Sequence, residues 1–274
     1  MGESFNENYA NIKIDFHIHT ALSLDGVGDV TTRIKKAKKE GLNIIAITDH
    51  NTIHPKIRGK AILEKNGIKL IVGEEISTDK GEIIGLFLRK VVKPGKLEQV
   101  LDEIKSQEAI VILPHPFKRS RIINYPEFLK DINLIEAWNG RTSFEKNYKS
   151  LIFADINKKP ICCGSDAHFS FEIGRSILEI FTNDKDIMYS IEVAEDLLEL
   201  VKNAKKFIIK GKTKRCFLLE SFSQFVKFVK GHKKSSLKNS FVFALYEIVG
   251  IDNNSYDNIK VEIDNIKKDI KLKF

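Results

Sequence analysis

Five of the seven histidines in this 274-residue chain stand directly after short apolar runs rich in β-branched residues, and each has a polar or acidic neighbour. The first run closes in Asp15-Phe16-His17-Ile18-His19, the second in Thr48-Asp49-His50 and the third in Gly73-Glu74-Glu75. Later runs end in Pro114-His115-Pro116, in Glu136-Ala137-Trp138-Asn139 and in Gly164-Ser165-Asp166-Ala167-His168. Residues i and i+2 of a strand face the same side, so His17 and His19 can grip one ion, as can Asp166 and His168. One such pair is a weak signal; recurrence at successive strand ends is a strong one. Parallel barrel strands deliver all their C-terminal ends to one face, which would bring these residues around a single mouth. Imidazoles mixed with carboxylates suit Zn, Mn or Fe, whereas an all-carboxylate Mg site needs no histidines.

Between these runs lie amphipathic stretches. Residues 12–16, 43–47, 68–72, 82–88, 109–113, 134–138, 160–164 and 176–181 read as strands, with a turn at 79–81. Residues 31–40, 55–66, 97–106, 127–130 and 144–157 read as helices. Asp29, Thr31 or Thr32 can cap the first helix; Gly41 and Gly67 stop the first two. Such alternation implies parallel strands joined by helical crossovers. About seven units within roughly 180 residues suit a compact barrel, and no GxGxxG follows the first strand to suggest a Rossmann sheet.

The texture changes after Asp184. Residues 188–207 read as a helix with a Leu-rich stripe, and Phe217, Phe222, Phe225, Phe228 and Val229 recur near helical spacing, a stripe expected to be core. Residues 231–239 read as an exposed loop and 259–274 as a terminal amphipathic helix. Net charge is +8, and residues from Lys185 onward hold seventeen lysines and one arginine against twelve carboxylates. That bias can attract anionic substrates or nucleic acid, although plain solvated helices show it too. No apolar run approaches the roughly 20 residues that span a bilayer, and the N-terminus lacks signal-peptide character, so a cytoplasmic location without membrane attachment is expected. Cys162, Cys163 and Cys216 lack CxxC spacing, and Cys162 and Cys163 read as small fillers of a buried strand.

Together, DFHIHTALSLDG (15–26), ITDHNT (47–52), GEEIS (73–77), LPHP (113–116), IEAWNGR (135–141) and GSDAHF (164–169) resemble the signatures of the polymerase-and-histidinol-phosphatase (PHP) domain, across roughly residues 12–181. The resemblance implies an α/β fold with a distorted (βα)7 TIM-like barrel, assigned to residues 1–183, and the change of texture adds a basic, mainly helical extension over 184–274. The resemblance also implies two or three divalent ions (Zn, Mn or Fe) in the mouth. Carried over residue by residue, the metal ligands are His17, His19, Asp25, His50, Glu75, His115, Asp166 and His168, with Glu75 as the bridging glutamate. Leu24 is one extra residue before Asp25. Glu82 stands where some members carry a histidine, and a further ligand position falls near Glu136 or Asn139. Two ions are the expectation, and a third depends on these substitutions.

The function implied is hydrolysis of phosphoesters by metal-bound hydroxide. Glu75 and Asp166 are the expected catalytic carboxylates, and His168 or Asp25 the acid for the leaving alkoxide. Lys118, Arg119, Arg141 and Arg175 are candidate phosphate-binding cations, with Arg121 beside them. The expected substrate is a small phosphate monoester or a nucleotide. The alternative is a nuclease or nucleic-acid-processing module that uses the basic C-terminal region. His54, which precedes Pro55, reads as a bystander, His232 as surface, and Trp138 as core or pocket floor. Oligomeric state is not readable from the residues.

Overall fold

The structure, a computed structural model, describes residues 9–184, 186–204, 206–212, 216–230, 259–264 and 269–273. The apolar runs form strands β1 (Ala10–Ile18), β2 (Ile44–Ile47), β4 (Ile68–Thr78), β6 (Ile110–Leu113), β7 (Leu134–Asn139) and β8 (Ile161–Gly164). β1, β2 and β4 pair in parallel, as do β6, β7 and β8. Strand β2 is buried along its whole length, as expected of a strand covered on both faces. The sheet curls until β8 returns to β1, where Asp166 N donates to His17 O at 2.8 Å and His19 N donates to Ala167 O at 2.9 Å. The result is a curled, half-barrel sheet in a mixed α/β fold.

Helices α1 (Val30–Lys39), α2 (Leu97–Ser106) and α3 (Phe144–Ile156) pack on it. Asp29 caps α1 by accepting from Thr32 N at 2.9 Å. The buried face of α2 is Leu97, Val100, Leu101 and Ile104, the i, i+3, i+4, i+7 stripe of a helix on a core.

Several expected elements are replaced. Residues 55–66 are turns followed by strand β3 (Ile62–Lys65), antiparallel to β4. The hairpin turns on Asn66 and Gly67, at φ 58° and 76°; an Asn-Gly pair with both φ positive is the two-residue turn whose twist matches flanking strands. Strand β5 (Gly81–Leu86) pairs antiparallel with both β4 and β6, so one barrel unit is a hairpin rather than a helical crossover.

Among the described residues the extension mixes helix with strand. Residues 188–207 divide into α4 (Ile187–Ser190), α5 (Ala194–Asn203) and the start of strand β10 (Lys206–Gly211). Strands β11 (Ile259–Asp264) and β12 (Asp269–Lys273) occupy the span expected to be helix. Ile259, Val261 and Ile263 alternate with charged residues at period two, which sets one strand face against the core and would scatter around a helix. Strand β9 (Ser176–Thr182) pairs antiparallel with β1, and β10, β11 and β12 follow in antiparallel order, extending the same sheet. The Phe-spaced segment forms α6 (Cys216–Val229), but Phe222 and Phe225 are about half exposed rather than core. The expected loop over 231–239, with His232, lies outside the described residues. Among the described residues no helix is long and apolar enough to cross a membrane.

Trp138, the single tryptophan, is fully buried, as are Cys162 and Cys163. Gly211 of β10 lies so close that an added Cβ would meet Trp138 Nε1 at 2.2 Å. Gly211→Ala is therefore expected to destabilise the protein by roughly 1–3 kcal/mol through overpacking. Denaturant unfolding followed by Trp138 fluorescence measures it, and an unchanged midpoint would contradict the packing of β10 on the barrel.

Candidate metal centre

The strand ends do converge. His17 lies in the last turn of the pleat of β1, and His19 follows it; their Nε2 atoms approach to 2.9 Å. His50 follows β2 and faces Glu75 on β4, with His50 Nδ1 3.0 Å from Glu75 Oε2. The same Oε2 lies 3.3 Å from His17 Nε2 and 3.4 Å from His19 Nε2, while Glu75 Oε1 lies 3.0 Å from His115 Nε2. Asp166 Oδ1 is 3.3 Å from His19 Nε2 and 3.7 Å from His17 Nε2. Asp25, on the loop after β1, brings Oδ1 to 3.1 Å from His168 Nε2 and 3.7 Å from His50 Nε2. All eight residues predicted as ligands therefore meet in one mouth.

Four overlapping groups have donor atoms within 4.8 Å of one another: His19-His50-His168, His17-His115-Asp166, His17-His19-Glu75 and His50-Glu75-Glu82. His17, His19, His50 and Glu75 each belong to two of them. Glu82 stands with the ligands, 3.8 Å from His115 Nε2. Glu136 and Asn139 stand behind them: Glu136 Oε1 receives His17 Nδ1 at 3.1 Å, and Asn139 Nδ2 donates to Glu136 Oε2 at 3.1 Å.

The outer hydrogen bonds orient the rings. Ser23 Oγ donates to Asp49 Oδ1 at 2.7 Å, so toward His19 Nδ1, 3.0 Å away, it acts as acceptor. His19 therefore carries its proton on Nδ1 and turns the Nε2 lone pair inward. His168 Nδ1 likewise donates to the carbonyl of Asp166 at 2.8 Å, which leaves Nε2 bare. This outer partner on the second ring nitrogen is the usual arrangement around a metal-ligating histidine.

Asp25 Oδ1 and His168 Nε2 are both buried without a hydrogen-bond partner. Two lone pairs facing each other at 3.1 Å repel unless a cation lies against both. The residues present thus fit a divalent ion. Electrostatics agrees elsewhere in the cluster. Burial opposes charge on His17, but Glu75, Glu136 and Asp166 outweigh it and hold its pKa well above the usual value; these carboxylates call for a positive charge. Burial, with His168 and His50 nearby, holds His19 well below its usual value, as a neutral ligand. Burial also opposes charge on Asp166, yet Lys118 and His17 keep it ionised, well below the carboxylate range.

His115 and Asp166 have φ of 55° and 54°. Left-handed backbone at non-glycine residues costs roughly 1–3 kcal/mol each, which the surrounding contacts must offset. Gly164 meets the opposite demand: a Cβ there would lie 2.2 Å from His17 Cβ and 2.5 Å from Glu136 Oε1.

Sequence reasoning missed the frame around the ligands. Asp49 accepts from Thr20 N at 2.6 Å and Thr20 Oγ1 at 2.7 Å, as well as from Ser23, and so folds the loop that carries Asp25. Arg33, fully buried on α1, donates to the carbonyls of His19 at 2.8 Å, Val27 at 2.6 Å and His168 at 2.8 Å, tying three ligand segments together. Glu172 accepts from His168 N at 2.7 Å and Arg141 Nε at 2.7 Å. An arginine on the apolar face of α1 was the available signal for Arg33.

The candidate phosphate cations part company. Lys118 Nζ lies 3.3 Å from Asp166 Oδ2 and 2.7 Å from Glu220 of α6, at the cluster. Arg119 is more exposed, 3.6 Å from Glu220. Arg141 is buried, held by Glu172 and by the carbonyl of Leu219 at 3.1 Å. Arg175 binds the carbonyls of Gly140 at 3.2 Å and Lys212 at 3.4 Å. Arg121 donates to the carbonyl of Asp79 at 2.8 Å. His54 accepts from Lys56 N at 3.2 Å and belongs to none of the four donor groups.

Comparison with known proteins agrees with this geometry. The family model of the PHP domain matches residues 15–238. Over 227 residues the chain is 32% identical to the uncharacterised protein MJ0417 of Methanocaldococcus jannaschii, covering 79% of this chain and 86% of that one. The PolC-type DNA polymerase III of Staphylococcus haemolyticus is 42% identical over 66 residues, 23% of this chain and 4% of the polymerase. A solved two-domain protein from Bacteroides vulgatus, containing a predicted PHP-like metal-dependent phosphoesterase, superposes with a TM-score of 0.53 at 19% identity. That likeness is one of fold and covers 76% of this chain and 78% of the other. With the family match spanning most of its length, the chain belongs to the PHP domain family.

Proposed function

We propose that the chain hydrolyses small phosphate monoesters, nucleotides among them, using two or three divalent ions of Zn, Mn or Fe. The observation that carries this reading is the one-sided opening of the ligand cluster. His17, His19, Glu75, Asp166 and His168 are almost completely buried, while the side chains of His50 and Glu82 are 23% and 29% exposed. A terminal phosphate can enter end-on past His50 and Glu82, whereas a polymer laid across the mouth would meet covered ligands.

When bound, the ions supply Lewis acidity that activates water and neutralises phosphoryl oxygens. His17, His19, His50, His115 and His168, with Asp25, Glu75 and Asp166, would hold them, and Glu75 would be the carboxylate shared between two. Glu82, at the rim with His50 and Glu75, is the residue on which a third ion depends. Glu136 and Ser23 fix the rings of His17 and His19 in the ligating orientation. Lys118 sets a positive charge beside Asp166, where a phosphoryl oxygen would gather negative charge. Arg119 offers a second cation, whereas Arg141 and Arg175 are committed to Glu172 and to carbonyls. His168 and Asp25 both aim at a cation, so neither is free to act as the leaving-group acid. Solvent entering past His50 is left to deliver that proton.

Nuclease action is favoured by the PolC-like stretch and by the basic C-terminal third, and one assay separates it. With manganese, activity is expected on p-nitrophenyl phosphate and mononucleotides and is expected to disappear on chelation; turnover of a labelled oligonucleotide alone would overturn the monoester reading. His17→Ala or Asp166→Ala is expected to cut turnover at least about 100-fold, and Glu136→Gln to weaken metal affinity about 10–100-fold by releasing the His17 ring. Elemental analysis and metal titration measure both effects. Full metal content and turnover in all three variants would refute the site.

A further inference from the structure

Helix α6 lies across the metal mouth and is pinned at both ends. Near its start, Glu220 pairs with Lys118 at 2.7 Å and Arg119 at 3.6 Å, and the carbonyl of Leu219 receives Arg141 at 3.1 Å. Phe222 meets Phe169 edge-on, with centroids 6.4 Å apart. Just past its end, Lys230 Nζ donates to the carbonyls of Ala21 at 3.1 Å, Ser23 at 3.0 Å and Gly26 at 2.7 Å, on the loop that carries Asp25. Between these anchors Lys227 Nζ reaches Asp25 Oδ2 at 2.7 Å.

Lys227 and Lys118 occupy matching positions. Asp25 turns Oδ1 toward His168 and His50 and gives Oδ2 to Lys227. Asp166 turns Oδ1 toward His19 and His17 and gives Oδ2 to Lys118. Each aspartate thus keeps one oxygen for the cluster and one for a lysine. Neither lysine helps to hold a metal: an ammonium beside a ligating carboxylate repels the ion and draws on the same negative charge. The arrangement becomes favourable when an anion joins the cluster, because an ammonium has three donors: Lys227 keeps two beyond Asp25, and Lys118 keeps one beyond Asp166 and Glu220. Their side chains are only 24% and 13% exposed, so their charges are screened less than those of surface lysines.

We propose that α6 completes the substrate site, with Lys227 and Lys118 forming a two-lysine clamp for a terminal phosphate dianion at the metal mouth. Lys227 is a substrate-binding residue supplied from outside the strand ends that carry the metal ligands. The clamp rests on the phosphoesterase reading above and specifies which end of the substrate that site holds. A phosphodiester offers two non-bridging oxygens and a single negative charge, against the three oxygens and two charges of a monoester dianion, so the clamp favours monoesters.

The test is calorimetric titration of inorganic phosphate into the manganese-loaded full chain, for the wild type, Lys227→Gln and Lys227→Arg, with metal content measured in each. Loss of a charge-assisted contact predicts about 10–100-fold weaker phosphate binding in Lys227→Gln. KM for a monoester should rise by a similar factor, with a smaller change in kcat, and Lys227→Arg should restore most of the binding while metal content stays at the wild-type level in both. Wild-type phosphate affinity in Lys227→Gln would overturn the clamp, and so would a parallel loss of metal, which would make Lys227 part of the metal centre. A wild-type protein that neither binds phosphate nor hydrolyses any phosphoester would instead overturn the functional reading on which the clamp rests.

Discussion

Asp25 Oδ1 and His168 Nε2 face each other across 3.1 Å, both buried and neither with a hydrogen-bond partner. Around them, Glu75 and Asp166 press against His17, His19, His50 and His115 at distances of 3.0–3.7 Å. Taking so many polar groups out of water costs several kcal/mol per ion unless opposite charge compensates it. A cation at the centre supplies that compensation, and much of the fold can be understood as what holds its ligands close. The return of β8 to β1 sets Asp166 against His17. Asp49 and Arg33 bind the loop of Asp25 to the end of β2 and to α1. The left-handed backbone of His115 and Asp166 is tolerated because their neighbours hold them there.

The strand ends were readable from the residues because strand periodicity is simple: a ligand pair two residues apart must share a face, and an apolar run before it must be buried. His17 and His19 follow that rule, whereas Asp166 lies past β8 at a left-handed φ and reaches the cluster through that turn. The frame was not readable in the same way. Arg33 showed in the residues only as an arginine on the apolar face of α1, and the three carbonyls it holds come from separate loops. Arg141 looks like a phosphate ligand until Glu172 takes its guanidinium, and that partner lies 31 residues away. The hairpin at Asn66-Gly67 did leave a local sign, but residues 55–66 also carry enough apolar spacing to pass for a helix. Over 259–274 the period-two alternation was present and was outweighed by the charged residues between. Strands of this kind form because β10 offers them an edge, which is tertiary information.

Helix α6 connects the two halves of the chain in chemical terms. The expectation was a basic extension of separate texture. In the structure its strands lengthen the barrel sheet, and its helix sets Lys227 beside Asp25 and Glu220 beside Lys118, which in turn pairs with Asp166. Burial disfavours the Glu220 carboxylate, but Lys118, Arg141 and Arg119 outweigh it and hold its pKa at about 2. The helix is therefore fastened by charge at one end and by the carbonyls around Lys230 at the other. Such fastening gives the C-terminal third a part in the site that neither its net charge nor its Phe spacing disclosed.

Anomalous diffraction from crystals of the manganese-loaded protein, recorded at the manganese absorption edge, tests the metal centre most directly. The account predicts at least two peaks inside the ring of His17, His19, His50, Glu75, His115, Asp166 and His168, one of them touching both Asp25 and His168. Peaks confined to the protein surface, or a single peak that leaves Asp25 and His168 without a shared ion, would contradict it.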